Sequence, residues 1–258
     1  MYPFIIKAIL GVILVGVSCA WVGSFVVLRR MTFLSEALSH TVLPGVVVAY
    51  LFGWPLLVGA LGAGLVTVVG IGLIGRSRKV RSDSVIGILL SGMLALGVLL
   101  MGLSGSFRDF SGLLFGNVLS LDTLDLIFAG VVLVVLAGVF SFFNKELVLS
   151  SYDPEYAETI GIHPKRLQLL LLVATALGVI TGIKLLGALL TTAMLVLPAT
   201  SAFLVTKRFA QGVLLAMAYA LIAGLAGIYL SYTFDVLSGP AIVLVACLLF
   251  AITWLLRR

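Results

Sequence analysis

Two ionisable side chains stand four residues apart in an otherwise apolar stretch: Glu36 and His40, within FLSEALSHTVLPG. On a helix, residues at i and i+4 share one face. A carboxylate oxygen beside an imidazole nitrogen is a mixed donor set that accepts zinc, manganese or iron(II). Two protein ligands are too few for a tight site and suit a cation held in passage. The same spacing also permits a hydrogen bond that only fixes helix packing, or a proton relay. Pro44 stands four residues beyond His40 and has no N–H, so the spacing predicts an interrupted helix with the His40 carbonyl released. Pro198 does the same for the carbonyl of Met194. Broken helices at membrane depth line cavities or lie buried in protein, so both prolines are candidate breaks lining a path.

Other candidates are weaker. Cys19 and Cys247 each lie ten residues before a basic residue, Arg29 and Arg257, which gives them a depth like that of His40. Thiolates ligate zinc, yet a cysteine in a membrane helix also serves as a small packing residue. Asp235 stands near a helix end, where it either collects cations at a mouth or caps the helix. His163 lies in a polar loop beside Pro164 and reads as structural. The chain has no GxxxxGK[ST] phosphate loop, no HExxH and no GxSxG. It therefore does not bind ATP in that manner, and an enzyme built on Glu36 and His40 would require a third firm ligand, for which only Cys19 or Cys247 is available.

The elements that must position these residues are membrane helices. Of 258 residues, 62% are apolar and 10% are charged, and mean hydropathy is +1.30. A soluble domain of this size cannot cover its surface with so little polar side chain, which excludes a soluble enzyme, a disordered chain and a nucleic-acid binder. Apolar runs long enough to cross a bilayer fall near 4–28, 32–52, 56–75, 84–103, 123–143, 167–185, 187–206, 212–232 and 239–256. The expected fold is all-α, a polytopic helical membrane protein with about nine transmembrane helices in a single transmembrane domain over 1–258. The least marked boundary is the Gly-rich turn at Gly182–Gly187 between the sixth and seventh spans.

Charge tests the count. With nine spans and the N-terminus outside, thirteen of the sixteen Lys and Arg residues fall on the cytoplasmic side, leaving Lys7, Arg108 and Lys184 outside. The +6 net charge thus reports orientation in a plasma membrane, not a nucleic-acid footprint. On this count Glu36 lies about 9 Å and His40 about 15 Å inward of Arg30, near the midplane of a core about 30 Å thick. The segment Ser104–Leu121 is amphipathic and too short to cross, and is expected at the outer face. The cytoplasmic segment 145–166 holds Glu146, Asp153, Glu155 and Glu158. It is expected to form a short helix over 154–160, with Asp153 as N-cap, Pro154 at N1 and Gly161 as the stop.

Five segments, in order, carry a family resemblance. GSFVVLRRMTFLSEALSHTVLPG (23–45), LLFGNVLSLDTLDL (113–126), YDPEYAETIGI (152–162), GALLTTAMLVLPATSAFL (187–204) and FDVLSGPAIVL (234–244) resemble the metal-type ABC importer permeases, the membrane subunits of zinc, manganese and iron(II) uptake systems. The resemblance implies a fold similar to that of the cobalamin and iron-chelate importer permeases without their first helix. It implies a homodimer, two ABC ATPase subunits, an extracytoplasmic metal-binding protein and a prokaryotic inner membrane. Asp153, Pro154, Glu155, Tyr156, Ala157, Glu158 and Gly161 correspond to the ATPase-coupling region, and Glu36 and His40 to an acidic-x-x-x-His pattern. Many family members carry Asp where this chain has Glu36. The implied cargo is zinc or manganese, with iron(II) possible, and no cofactor is implied as permanently bound. A stand-alone secondary transporter or channel for divalent cations is the alternative.

Overall fold

Apolar runs of this length satisfy their backbone polar groups only within themselves, so each becomes a helix. A computed structural model describes residues 3–74, 82–104 and 121–257. In chain order they form α1 (Pro3–Leu28), α2 (Phe33–Thr41), α3 (Leu43–Leu51), α4 (Leu56–Ile74), α5 (Ser82–Ser104) and α6 (Thr123–Phe142). These are followed by α7 (Asn144–Tyr152), α8 (Pro154–Thr159), α9 (Pro164–Leu186), α10 (Ala188–Val205), α11 (Phe209–Phe234) and α12 (Ser238–Leu256). Among the described residues there is no strand, and nine spans are long and apolar enough to cross a membrane, with α2 and α3 sharing one. The all-α, nine-span expectation holds. The basic cluster within 75–81 and most of the amphipathic segment 104–121 lie outside the described residues.

The centre is built from α1, α9 and α10. α1 packs on α6, α9, α10 and α11, and α10 packs also on α11 and α12. Of the α9 span 72% is enclosed, against 17% of the α5 span, so α5 stands at the periphery and α9 in the middle. Close approach relies on missing side chains: Gly23 of α1 rests on the Leu195 carbonyl of α10. Gly45 of α3 and Gly59 of α4 face each other's backbone. At the end that carries Arg29, Phe25 stacks on Phe140 with centroids 4.8 Å apart, which aligns α1 with α6.

Four details differ from the expectation. The break between the sixth and seventh spans is one residue wide, because α9 continues through Gly182 and stops at Gly187, with φ 87° and ψ 161°. That conformation is open essentially to glycine alone. α10 runs through Pro198 without interruption, so this proline is not a helix break. Pro198 is buried among neighbouring helices, and the segment stays helical although one donor is missing. The polar segment contains a second helix, α7, before α8. Finally, the count of depth from Arg30 does not run along helix throughout, because α2 starts only at Phe33. Arg30 adopts a left-handed conformation, φ 56°, and the Met31 N–H bonds the Val26 carbonyl at 2.9 Å, closing α1 with a Schellman turn. Along α2, Glu36 is therefore about 5 Å and His40 about 10 Å from the helix start, each about 5 Å less than the count from Arg30.

Candidate functional site

α2 is short and two-faced. Leu34, Ser35, Ala37, Leu38, Ser39 and Thr41 are buried against the bundle, where α2 packs on α5 and α9. The remaining stripe presents Phe33, Glu36 and His40 outward. Glu36 occupies the first turn and His40 the last. Glu36 Oε1 lies 3.0 Å from His40 Nε2, so the two side chains meet. Their side chains remain 49% and 32% exposed, respectively. Glu36 opens into a groove of about 350 Å³ between α2 and α10, lined by Thr32, Phe33, Ser35, Thr192, Ala193 and Val196.

Pro44 sits in the first turn of α3 and separates it from α2, as expected. The Val42 N–H, rather than a residue-44 donor, turns to the His40 carbonyl.

The weaker candidates stay apart from this pair. Cys19 is fully buried in α1, and Cys247 is exposed on α12. Asp235 caps α11 in a left-handed conformation, φ 52°, with the Val236 N–H bonding the Ser231 carbonyl. No group of three metal-ligating side chains forms among the described residues. The arrangement offers a two-donor contact with room beside it. The hydroxyls of Thr32, Ser35 and Thr192 were not singled out from sequence. Thr192 is distant in sequence, and only the α2–α10 packing brings it to the groove.

The polar segment is well ordered locally. The Asp153 carboxylate accepts the Tyr156 N–H at 2.9 Å and caps α8. Gly161, φ 83°, closes it, with the Ile162 N–H returning to the Ala157 carbonyl at 3.0 Å. Only Ala157 of this helix is buried, while Pro154, Glu155, Tyr156 and Glu158 are exposed, as is Gly161. His163 precedes α9 as its N-cap residue, without a side-chain cap bond. The segment is tied to α1 by Arg29, which donates from Nε to Ser151 and from Nη2 to Ser150, each at 2.8 Å. Burial pulls the pKa of this guanidinium below its usual value. Near the far ends of α6 and α9, Lys184 pairs with Asp125 at 2.6 Å.

A transmembrane bundle with a two-donor groove and a capped, outward-facing helix is the form of a transport subunit. The chain belongs to the ABC 3 transport family, whose model matches residues 1–257. It is 34% identical over 254 residues to the manganese transport system membrane protein MntC of Listeria monocytogenes, covering 98% of this chain and 91% of that one. Among solved structures it resembles PsaBC from Streptococcus pneumoniae in complex with Fab, with TM-score 0.87 and 32% identity, covering 98% and 92% of the two chains. The fold also matches a structure described as a metal-chelate type ABC transporter in an inward-facing conformation, with TM-score 0.78 and 18% identity, covering 96% and 84%. Membership of an ABC transport family sets aside the stand-alone secondary transporter or channel.

Proposed function

We propose that this chain is the membrane permease of an ATP-driven importer for divalent transition-metal ions, with manganese the first cargo to test. The observation that carries the site is the position of Glu36 and His40. A carboxylate on a membrane helix turns toward protein or a water-filled path, not toward lipid. Here the pair opens outward from the monomer, so its free side is covered by a second copy of the chain. Two copies placed about that face contribute two carboxylates and two imidazoles to one path. That set holds manganese, zinc or iron(II) and still releases it, since each protomer gives only two donors. The metal is cargo rather than a resident cofactor.

The partners follow from the same reading. The exposed face of α8, with Glu155, Tyr156 and Glu158, docks an ABC ATPase on the cytoplasmic side. An extracytoplasmic binding protein delivers metal to the opposite face. The chain sits in the plasma membrane of a prokaryote as a single permease domain, N-terminus outside and C-terminus cytoplasmic. This orientation places Arg29, α7 and α8 together on the side of the basic residues.

The test is manganese uptake into vesicles holding the whole complex. Glu36→Ala and His40→Ala are expected to abolish uptake while the permease still assembles with its ATPase. Full transport by both variants would remove the metal role from this pair.

A further inference from the structure

The Arg29 contacts join parts of the chain separated by 121 and 122 residues. The two serine hydroxyls that receive the guanidinium have their own protons committed, because Ser150 and Ser151 both donate to the Leu147 carbonyl. Their lone pairs therefore face Arg29, and the fork of Nε and Nη2 matches two acceptors on adjacent residues. Ser151 is three residues before the start of α8, and Arg29 is seven before Glu36. Between Arg29 and α2 the chain reverses through the closed turn at Arg30, so only three residues separate Arg29 from the helix bearing Glu36.

A second observation lies on α7. Glu146 Oε2 is buried and has no hydrogen-bond partner. Glu146 is four residues before Ser150, on the same helical face. α1 and α7 are in contact, yet Arg29 and Glu146 form no ion pair within 4.0 Å. A buried carboxylate oxygen and a guanidinium on touching elements are thus held apart, with the cation resting on neutral hydroxyls. A charge-assisted bond between them is stronger than the bonds it replaces. Two discrete arrangements of one contact are what carrying motion between sites requires.

We propose that Arg29 is a positioning residue of the transport cycle, bound to Ser150 and Ser151 in this state and passing to the Glu146 carboxylate when the α7–α8 segment moves. It links the docking helix to the metal-bearing helix, and rests on the roles proposed above for α8 and for Glu36 with His40.

The experiment uses the complete complex in proteoliposomes and reads manganese imported per ATP hydrolysed. Glu146→Gln, the double variant Ser150→Ala with Ser151→Ala, and Arg29→Lys are each expected to assemble and hydrolyse ATP. Each should import about fivefold less manganese per ATP. Adding Glu146→Gln to Arg29→Lys should lower the ratio no further, a non-additivity that independent packing defects do not produce. Wild-type ratios in both Glu146→Gln and the serine double variant would overturn the proposal. Glu36→Ala in the same vesicles separates the two levels. Loss of uptake there beside wild-type ratios in the Arg29 set overturns only the link, whereas uptake by Glu36→Ala overturns the metal site beneath it.

Discussion

Gly59→Ala is expected to destabilise the protein, and Gly62→Ala, three residues further along the same helix, is not. A Cβ at Gly59 falls against the Gly45 carbonyl, 2.6 Å from the Ala49 Cβ and 2.7 Å from the Gly45 carbonyl carbon. Ordinary contact begins at 3.4 Å, so the Ala49 Cβ alone requires α3 to retreat from α4 by about 0.8 Å, and the nearer Gly45 carbonyl oxygen requires more. The obstacle is backbone and a methyl group, neither of which can rotate away. Overpacking of this kind costs about 1–3 kcal/mol. A Cβ at Gly62 meets open space. Both substitutions gain the same helix propensity, about 1 kcal/mol. The difference between the variants is therefore the clash alone. In a chain of this size that difference corresponds to about 2–12 °C in Tm. α3 continues the span that holds His40, so its retreat also displaces the metal contact proposed there, and manganese uptake should fall in Gly59→Ala only. The assay is thermal unfolding of the purified complex alongside vesicle uptake. Equal Tm and equal uptake in the two variants would refute the claim that the Gly45–Gly59 contact sets the α3 position.

Two further outcomes follow from the α8 cap and the α9–α10 break. Asp153→Ala removes the acceptor for the Tyr156 N–H, a loss of about 1 kcal/mol that a six-residue helix cannot absorb. ATP hydrolysis should then uncouple from metal uptake, as it should in Glu155→Lys with Glu158→Lys, while Asp153→Asn retains coupling; metal imported per ATP is the measurement. Gly187→Ala forces a Cβ into a backbone region reserved for glycine, at a cost of about 1–3 kcal/mol, and should lower Tm without changing the number of spans.

Much of the fold is legible in the sequence because the bilayer removes alternatives. A run such as 212–232 has no water to satisfy its backbone, so helix is the only outcome, and length counts the crossings. Local chemistry is legible for the same kind of reason. Asp153, Pro154 and Gly161 specify an α8 cap, start and stop within nine residues, and Glu36 and His40 meet because four residues make about one turn. Pro44 separated α2 from α3 as its missing N–H requires. Pro198 did not break α10, because the outcome there depends on how tightly other helices hold the segment, which no local pattern records.

The sequence by itself therefore determined the membrane class, the helical spans, the Glu36–His40 pair and the capped helix α8, each set by backbone satisfaction or by neighbours within a turn. Only the tertiary structure decided which side of α2 is open and that Thr192 stands across the groove. It also decided that Arg29, which sequence reads only as a topology signal, grips Ser150 and Ser151. Those facts rest on contacts between residues far apart in the chain, more than a hundred positions for Thr192 and for Arg29. Their geometry comes from helix packing, in which a single missing Cβ at Gly23 or Gly59 sets the distance between elements.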